Sequence, residues 1–397
     1  MSVGVRKKIL MVLTSEFPPD RRVENEAEAL TEAGYEVHLA CFTRERLPKQ
    51  DVYHNITVHR KKICSFYYKS IAALPVIKVA FFFWKPFLVQ LIRQHAFDAI
   101  HIHDLPLAKL GFRLKRRFGI KYVLDLHENW AVLQQISQHT QHFPGSVFFS
   151  LPAWLKYERQ AVADADRVIV VIDEMKQRFV AMNVDASKIE VIQNTINIPE
   201  DLPVAERAEN EKDDVILFYG GGITFHRGLQ IVLQALSKLP ADSRIKFHVI
   251  GSGRHAEALK KMARDLNIEN RVIFPGYKSQ EELYADLSKS DVAIIPHLKT
   301  DHTDHTIPHK LFQYMYYQKP VIATNCRPIQ RIVEETGAGV IYRHDDPVAL
   351  AKILQTLETN VDAFKAQYGG GRKWVLEKYN WQHDARNLVC FYKELER

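Results

Sequence analysis

The 397-residue chain contains few cysteines and no long signal-like apolar start. Its four cysteines, Cys41, Cys64, Cys326 and Cys390, lie far apart and form no CxxC pair. That spacing argues against a disulfide framework or a zinc site and is typical of reduced thiols. The apolar run ILMVL near the N-terminus is too short for the core of a signal peptide. The sequence therefore predicts a cytoplasmic protein.

The chain also lacks a strong charge of one sign. Its 54 Lys and Arg residues against 47 Asp and Glu residues give a net charge of +7. This excess suits an acidic ligand, a phosphate or an anionic membrane surface, but it is too small to indicate nucleic acid by itself. No RNA- or DNA-binding motif with interleaved aromatic residues is present either. We therefore expect no nucleic-acid partner.

No uninterrupted apolar run approaches the ~20 residues that a transmembrane helix needs. The most apolar segment, IAALPVIKVAFFFWKPFLVQLI, spans Ile71 to Ile92. Its interruptions are Pro75, Lys78, Lys85 and Pro86. Two interpretations stay open: a pair of buried helices whose lysines face outward, or a partly exposed basic and aromatic surface that docks on a membrane. The basic runs RKK and RLKRR, close by in sequence, favour the second.

Strand-like apolar runs alternate with helical patterns along most of the chain. Six runs occupy the first half, KILMVL, EVHLACF, AIHIHD, YVLDLH, RVIVVI and IEVIQN, and six the second, VILFYGG, KFHVIG, RVIFPGY, VAIIPH, PVIAT and AGVIY. Near-continuous apolar strands are typical of parallel sheets covered on both faces. The alternation predicts an α/β protein with two Rossmann-like, doubly wound parallel-sheet domains.

A charged stretch without strand signals divides the chain near its middle. It reads NIPEDLPVAERAENEKDD and predicts a linker over residues 198–214. The predicted domains are residues 1–197 and 215–378. Two such domains are expected to face a cleft, with ligands bound at the carboxyl ends of their strands.

The run LFYGGGITFHRGL combines a strand end, a glycine loop, a cation and a helix start. Gly221 and Gly222 let the backbone approach a ligand, and Arg227 offers a guanidinium fork for phosphate. A plain strand-to-helix turn is the alternative, but the coincidence of these features predicts phosphate binding. The later turn VIGSGRHAEAL, with Gly253, is a weaker signal of the same kind.

A polar loop leads directly into an apolar helix in the run HTIPHKLFQYM. Pro308 suits the start of that helix. Lys310 in the first turn opposes the helix dipole, which is reasonable if an anion binds there. Gln313 lies about one turn deeper on the same face. We therefore expect the loop to be the rim of a ligand site and the helix to be its support.

A metal site is not expected in this loop. Its three histidines, His302, His305 and His309, fit no common zinc spacing, and Pro308 interrupts them. The acidic run DAD precedes a strand signal, whereas a metal-binding motif of that kind would follow one. No metal cofactor is therefore predicted.

These runs, in this order, resemble the retaining glycosyltransferases of the GT-B fold, family 4, over nearly the whole chain. The run IHIHDLPLAKLG followed by VLDLHENW is similar to a bacterial subgroup with an Asp-x-His-Glu motif. The C-terminal run KYNWQHDARNLVCFYKEL resembles the helix that crosses back to the first domain, here residues 379–397. The resemblance implies transfer of a sugar from a nucleotide-diphosphate sugar, UDP- or GDP-linked, to an acceptor hydroxyl without a metal. It suggests glycan or lipid-linked acceptors in polysaccharide or glycolipid assembly, with possible docking on the inner face of the cell membrane.

The resemblance also assigns roles to residues. Its catalytic candidates are His127, Arg227 and Lys310. Its donor-binding candidates are Gly221, Gly222, Arg227, Gly253, Tyr277, His305, Pro308, His309, Lys310, Leu311 and Gln313. Its acceptor-side candidates are Arg22, Asp104 and Glu128. Arg227 and Lys310 would neutralise the departing diphosphate, and His127, as a neutral imidazole, would hydrogen-bond the sugar or the attacking hydroxyl.

The sequence departs from the family pattern at the donor site. Gly222 stands where the family usually has an arginine. His305 and Gln313 stand where it has two glutamates, the second of which accepts hydrogen bonds from the ribose hydroxyls. A glutamine accepts one such bond and donates another, at a cost of roughly 1–2 kcal/mol in binding. A catalytically inactive partner of an active transferase and a sugar-nucleotide epimerase therefore remain alternatives.

Overall fold

The computed structural model describes residues 6–45, 47–63, 79–136, 140, 149–193, 195–198, 205 and 213–396. The chain divides into two compact units, Met1–Asn194 with Trp381–Arg397, and Thr195–Asn380. Most of the predicted linker, residues 198–214, lies outside the described residues, so the linker and the domain bounds stay predictions. Both units are built on largely parallel sheets, which confirms the predicted α/β class.

The N-terminal unit has an eight-stranded sheet in the order β3-β4-β2-β1-β5-β6-β7-β8. The strands are β1 (Lys8–Val12), β2 (Glu36–Thr43), β3 (Gln50–Tyr53), β4 (Ile56–Lys62), β5 (Ala99–His103), β6 (Lys121–Leu126), β7 (Arg167–Val170) and β8 (Ile189–Val191). All six predicted strands are present. The edge strand β3 and its neighbour β4 were not predicted, because polar residues interrupt both, QDVY and ITVHRKK, so neither shows the apolar run of a buried strand.

Helices of this unit cover the sheet. They are α1 (Arg21–Glu32), α2 (Val79–His95), α3 (Ala108–Phe118), α4 (Trp130–Ile136), α5 (Leu151–Asp164), α6 (Asp173–Val180) and, from the C-terminus, α15 (Trp381–Leu395). Helix α1 begins at a side-chain cap, Asp20, whose carboxylate accepts from the Arg22 amide. Helix α15 packs beside α1 and contributes Leu388 and Phe391 to the same core. The last helix of the chain is therefore part of the N-terminal unit.

The C-terminal unit has a six-stranded parallel sheet in the order β11-β10-β9-β12-β13-β14. The strands are β9 (Val215–Gly220), β10 (Ile245–Ile250), β11 (Val272–Gly276), β12 (Val292–Ile295), β13 (Val321–Thr324) and β14 (Gly339–Tyr342). These are the six strands predicted for this half of the chain. Strand β9 lies between β10 and β12, where the strand order reverses, and ligands bind at such points in open α/β sheets.

Helices of the C-terminal unit pack on both faces of this sheet. They are α7 (Leu229–Leu236), α8 (Ala256–Asp265), α9 (Gln280–Lys289), α10 (Lys310–Tyr316), α11 (Arg327–Thr336), α12 (Pro347–Thr359), α13 (Val361–Tyr368) and α14 (Gly371–Glu377). Helix α7 buries Val232, Leu233 and Leu236 in a core shared with Leu217 of β9. Burial of this apolar stripe holds the loops at the carboxyl ends of the strands in place.

The apolar segment is described only from Val79 onward, and residues 71–78 lie outside the described residues. From Val79 it forms α2, whose side chains Phe81, Trp84 and Leu88 are buried, while Phe82 is 78% exposed. In this part, the interpretation of a buried helix with an outward lysine fits, because Lys85 is exposed. Across the described portion of the chain, no helix is long and apolar enough to cross a membrane.

Candidate active site

A glycine loop follows β9 at the centre of the C-terminal sheet. Two tyrosines hold this loop, since Tyr314 Oη accepts from the Gly220 amide at 3.0 Å and Tyr219 Oη donates to the Gly222 carbonyl at 2.7 Å. Gly221 has a φ of 135°, a conformation that residues with a side chain rarely adopt. The sequence therefore forms a rigid, backbone-lined surface at the strand end, as a ligand that approaches the backbone requires.

Arg227 is held beside this loop by a buried histidine. It ends the short turn Phe225–Arg227, and its Nη1 donates to His297 Nε2 at 3.0 Å. Burial, with a further contribution from the Arg227 charge, holds the pKa of His297 well below its usual range. A neutral His297 can accept this hydrogen bond, so the pair orients the guanidinium without neutralising its charge.

Gly228 allows the Arg227 turn to pack against the end of β12. Its φ is 72°, and a Cβ at this position would lie 1.7 Å from the Pro296 carbonyl oxygen. The segment that follows is also fixed, because Thr324 Oγ1 donates to the His297 carbonyl at 2.7 Å. The position of Arg227 therefore depends on the close contact between the Gly228 backbone and the Pro296 carbonyl, which only glycine permits.

Lys310 points its ammonium at the glycine loop. The Nζ atom is buried, has no hydrogen-bond partner among the described residues, and lies 3.9 Å from the centroid of the Tyr219 ring. Burial, with a smaller contribution from Arg227, lowers the pKa of Lys310 well below its usual range. A buried ammonium without an anion costs several kcal/mol, so the arrangement is suited to a negatively charged ligand.

His305 and Gln313, which replace the two glutamates of the family pattern, already have protein partners. His305 is buried, and its Nδ1 donates to the Asp301 carbonyl at 2.7 Å. Gln313 Nε2 donates to Tyr284 Oη at 3.0 Å. The Asp301 carboxylate also lies 3.3 Å from the same Nδ1 atom of His305. Both side chains are therefore oriented by partners within the protein.

The remaining donor-side candidates fall into three groups. The side chain of Leu311 lies in the core, fully buried, so its assignment to the donor site stays a prediction that concerns its backbone. Pro308 and His309 precede helix α10, which begins at Lys310, and their carbonyls accept from its first amides. Tyr277, 81% exposed, follows β11, and Gly253 packs its backbone on the Ile223 carbonyl.

In the N-terminal unit, one buried carboxylate binds three imidazoles. Asp125 Oδ2 lies 2.8 Å from His127 Nε2, 3.1 Å from His103 Nδ1 and 3.3 Å from His101 Nε2. Strand geometry explains this arrangement. Alternate residues of a strand share a face, and β5 and β6 pair His103 with Asp125. We call Asp125, His101, His103 and His127 the histidine–aspartate cluster.

The charges in this cluster are unevenly distributed. Burial lowers the pKa of His127, but the attraction and hydrogen bond of Asp125 outweigh it and raise that pKa to about 9. Burial lowers the pKa of His101 to about 4, with a further contribution from His103. The pKa of Asp125 is held well below its usual range by His127 and the hydrogen bonds, against burial. The raised pKa favours an imidazolium at His127, paired with Asp125, whereas a neutral imidazole was expected from the sequence.

Glu26 of α1 completes the surroundings of this cluster. Burial and the Asp125 charge raise its pKa well above the usual range. The ligand atoms of Glu26, His103, Asp125 and His127 all lie within 4.8 Å of one another. This group could hold a cation, which would compete with the protons that the raised pKa values of Glu26 and His127 favour.

The three acceptor-side candidates lie together beside the cluster. Arg22 forms a fork with Asp20, with Nη2 3.0 Å from Oδ2 and Nε 3.2 Å from Oδ1. Asp104 and Glu128 both act electrostatically on Arg22 and raise its pKa. Asp104 has a φ of 63° at the end of β5, a conformation uncommon outside glycine. Strained backbone is frequently found at functional sites.

Several residues of these sites were not predicted. His297, Tyr219, Glu26 and His103 each contact a predicted residue, and His101 contacts Asp125, which was not predicted either. Two of them carried a usable signal, because His101 and His103 are two residues apart on a predicted strand, as are Asp125 and His127. The others contact residues distant in sequence, which no local pattern indicates.

Known proteins resemble this chain in sequence and in fold. The model of Glycosyltransferase Family 4 matches residues 20–199, and that of Glycosyl transferases group 1 matches residues 204–374. An uncharacterized glycosyltransferase of Methanocaldococcus jannaschii is 22% identical over 97% of this chain and 98% of its own length. Sucrose-phosphate synthase from Thermosynechococcus elongatus has a TM-score of 0.76 at 19% identity, covering 98% of this chain and 99% of its own. HepE of Anabaena in complex with UDP has a TM-score of 0.71 at 14% identity, covering 98% and 100%.

Proposed function

This chain belongs to the family 4 glycosyltransferases and has their GT-B fold, and from that premise we propose that it transfers a sugar from a nucleotide-diphosphate sugar to an acceptor hydroxyl. The observation that carries the proposal is the buried amino group of Lys310 at the glycine loop, which has no hydrogen-bond partner among the described residues and faces the Tyr219 ring. A diphosphate placed there can interact with both Lys310 and the Arg227 guanidinium. Its negative charge also favours the protonated form of Lys310, which burial disfavours in the free protein.

Catalysis in this proposal is electrostatic. As the bond between the anomeric carbon and the diphosphate breaks, negative charge collects on the leaving phosphate oxygens. Arg227 and Lys310 stabilise that charge from fixed positions, which lowers the barrier. The acceptor hydroxyl attacks from the same face of the sugar, and its proton passes to a phosphate oxygen, so the anomeric configuration is retained. Because two cations neutralise the diphosphate, no metal is required.

We assign the nucleotide to UDP or GDP. The UDP complex of HepE, a protein with a similar fold, favours UDP. The hydrogen bond from Gln313 Nε2 to Tyr284 leaves Oε1 as the acceptor for a ribose hydroxyl. This geometry supports binding of the ribose by one accepted hydrogen bond instead of the two that a glutamate offers.

The acceptor is assigned to the N-terminal unit. Arg22, Asp104 and Glu128 offer one cation and two carboxylates beside the imidazolium of His127. Carboxylates accept hydrogen bonds from sugar hydroxyls, and the Arg22 guanidinium suits a phosphate or carboxylate of an acceptor. A glycan acceptor of polysaccharide or glycolipid assembly fits this mixture of groups.

A basic groove on the N-terminal unit supports a lipid-linked acceptor. The groove has a volume of about 800 Å³, and four cations of α3 line it: Lys109, Arg113, Arg116 and Arg117. Exposed Phe82 on the neighbouring helix α2 adds an aromatic side chain. Cations and aromatic groups together favour anionic membrane surfaces. We therefore expect a cytoplasmic enzyme that docks on the inner face of the cell membrane.

The first test is a calorimetric titration of the full chain with UDP, GDP, ADP and their common sugar conjugates. We expect micromolar binding of one nucleotide, weakened at least tenfold by Arg227→Gln or Lys310→Met. Lys289→Met, on the outer helix α9, is a control that should bind normally. Turnover is then measured with that donor and candidate acceptors, and the anomeric configuration of the product is read by NMR. Binding of no nucleotide would contradict the proposal.

An inactive partner subunit is the second candidate, favoured by the replacement of both glutamates with His305 and Gln313. Nucleotide-sugar binding without transfer or hydrolysis across a full acceptor panel would support it. An epimerase is distinguished in the same experiment, because it would convert the sugar nucleotide without an acceptor.

A further inference from the structure

Three histidines meet at the edge of the N-terminal sheet, away from the histidine–aspartate cluster. They are His38 of β2, His59 of β4 and His95 at the end of α2, and one ligand atom from each lies within 4.8 Å of the others. We call them the three-histidine cluster. The strand register places His38 level with Tyr122 of β6. Asp125 lies three residues further along β6 and three strands across, a separation of roughly 17 Å.

A carboxylate fixes the tautomer of the central histidine. His38 Nε2 lies 2.9 Å from Glu36 Oε1, and a carboxylate can only accept, so the proton of a neutral His38 lies on Nε2. Its Nδ1 then carries a lone pair, directed at His59 Nε2, 2.9 Å away. Histidines that bind metals show this arrangement, in which one ring nitrogen donates to a carboxylate while the other binds the ion.

Packing holds two of the imidazoles in place. His38 and His59 are buried, and Phe97 packs edge-on against His38 at 5.0 Å between ring centroids. Rings fixed by their neighbours keep their ligand atoms in one position, as a metal site requires.

A hydrogen bond between His38 and His59 satisfies those two residues but gives no reason for a third imidazole. His95 comes from a different element, yet its ring lies 4.6 Å from His38 and 5.3 Å from His59 between centroids. An ion can also reach this point, because His59 lines a groove of about 670 Å³ together with Gln90 and Gln94. Three imidazole nitrogens from three elements, one of them oriented by a carboxylate, form a preorganised site.

We propose that His38, His59 and His95 bind one divalent transition-metal ion, with Zn²⁺ as the preferred occupant. Three imidazole ligands with a fourth position open to water are typical of Zn²⁺, and Ni²⁺, Cu²⁺ and Co²⁺ also accept them. The ion would join strands β2 and β4 to the C-terminus of α2. It would therefore stabilise the N-terminal unit and take no part in sugar transfer.

The test is a titration of the EDTA-treated full chain with Zn²⁺ by calorimetry, with Co²⁺ as an optical probe. We expect one tight equivalent and a visible Co²⁺ spectrum typical of nitrogen ligands. His95→Gln is the first variant, because His95 is only half buried and its loss should leave the fold intact. His95→Gln should weaken Zn²⁺ binding at least a hundredfold. Glu36→Gln should weaken it about tenfold, because the hydrogen bond to His38 loses its charged acceptor.

Two further variants identify the site. His54→Gln removes an exposed histidine from a separate group with Glu24 and Glu28, and it should bind Zn²⁺ normally. His127→Gln tests the histidine–aspartate cluster, and this variant should still bind one equivalent of Zn²⁺. Absence of a bound equivalent in the parent chain, retention in His95→Gln, or loss in His127→Gln would each overturn the proposal. Thermal unfolding with and without Zn²⁺ gives a second readout, since an ion bound only to the folded state raises the midpoint.

Discussion

The ammonium nitrogen of Lys310 lies 2.7 Å from the position that a Cβ atom on Gly221 would occupy. A side chain at position 221 would therefore collide with the Lys310 ammonium in its present position. Tyr219 lies beneath the glycine loop and the lysine, with its ring 3.9 Å from the ammonium and its hydroxyl on the Gly222 carbonyl. This close approach of a lysine to the backbone suits an anionic ligand, such as the diphosphate of the proposed donor.

Gly221→Ala is expected to abolish nucleotide binding. The new methyl group would displace the Lys310 ammonium, and the φ of 135° would add backbone strain. Gly222→Ala is the matched control, because no described atom lies within 4 Å of a Cβ at that position. Calorimetry with the donor nucleotide should show binding lost in the first variant and altered less than threefold in the second. Equal binding by both variants would contradict the assignment of Lys310 to the diphosphate.

Nucleotide binding should take up protons. The pKa of Lys310 lies well below its usual range in the free protein, and a bound diphosphate raises it again. Between these two pKa values the complex holds more protons than the free protein. The dissociation constant should therefore increase as pH rises through that window. Calorimetry in buffers of different ionisation enthalpy measures the uptake directly.

Lys310→Met provides the matching control for proton uptake. The variant should bind nucleotide weakly and show the smaller uptake that belongs to the phosphate alone. It should also raise the free energy of unfolding of the free protein, since it removes a buried ammonium that has no described hydrogen-bond partner. A variant less stable than the parent chain would indicate that the lysine has a structural role.

Gln313→Glu should strengthen nucleotide binding. A carboxylate at this position accepts from both ribose hydroxyls by charge-assisted hydrogen bonds, which are worth roughly 1–2 kcal/mol more than amide bonds. We expect a dissociation constant about tenfold lower for the ribonucleotide and little change for its 2′,3′-dideoxy analogue. Unchanged affinity for both ligands would place the ribose away from Gln313.

The parallel strands could be predicted because burial on both faces produces continuous apolar runs. Strands β3 and β4 could not, since polar residues interrupt the apolar pattern in both, QDVY and ITVHRKK. The candidate site residues divide in the same way. Arg227 and Lys310 could be proposed from the sequence because each follows a loop with turn residues, a local signal. Their partners His297 and Tyr219 come from other strands, and only the folded sheet brings them together.

The charge of His127 is a further case that sequence could not decide. A histidine after a strand gives no indication of its protonation, because this depends on groups that the sheet places around it. Asp125 lies in the same sequence run as His127, but its hydrogen bonds to His101 and His103 join the neighbouring strands β6 and β5. The sequence therefore offers His127 as a site candidate, but it does not indicate the raised pKa that the folded protein gives this residue.

The ion pair of His127 and Asp125 should make stability depend on pH. The folded-state pKa of His127 is about 9 and its ordinary value is 6.5. Because the folded value is higher, the stabilisation is fully present below about pH 6.5 and is lost as pH rises through about 9. The shift corresponds to roughly 3 kcal/mol of unfolding free energy. Denaturant unfolding of the parent chain at pH values from 6 to 10 measures this loss.

His127→Gln is the comparison that isolates the histidine. Glutamine keeps a hydrogen-bond donor for Asp125 but carries no charge. At pH 6 the variant should therefore have a lower free energy of unfolding than the parent chain. Between pH 6.5 and 9 the free energy of unfolding of the variant itself should stay nearly constant. The two stability curves should therefore converge as pH rises. Parallel curves would mean that His127 is neutral in the folded protein. It could then act toward a substrate as a neutral imidazole, and Asp125 would owe its charge state to His101 and His103 instead.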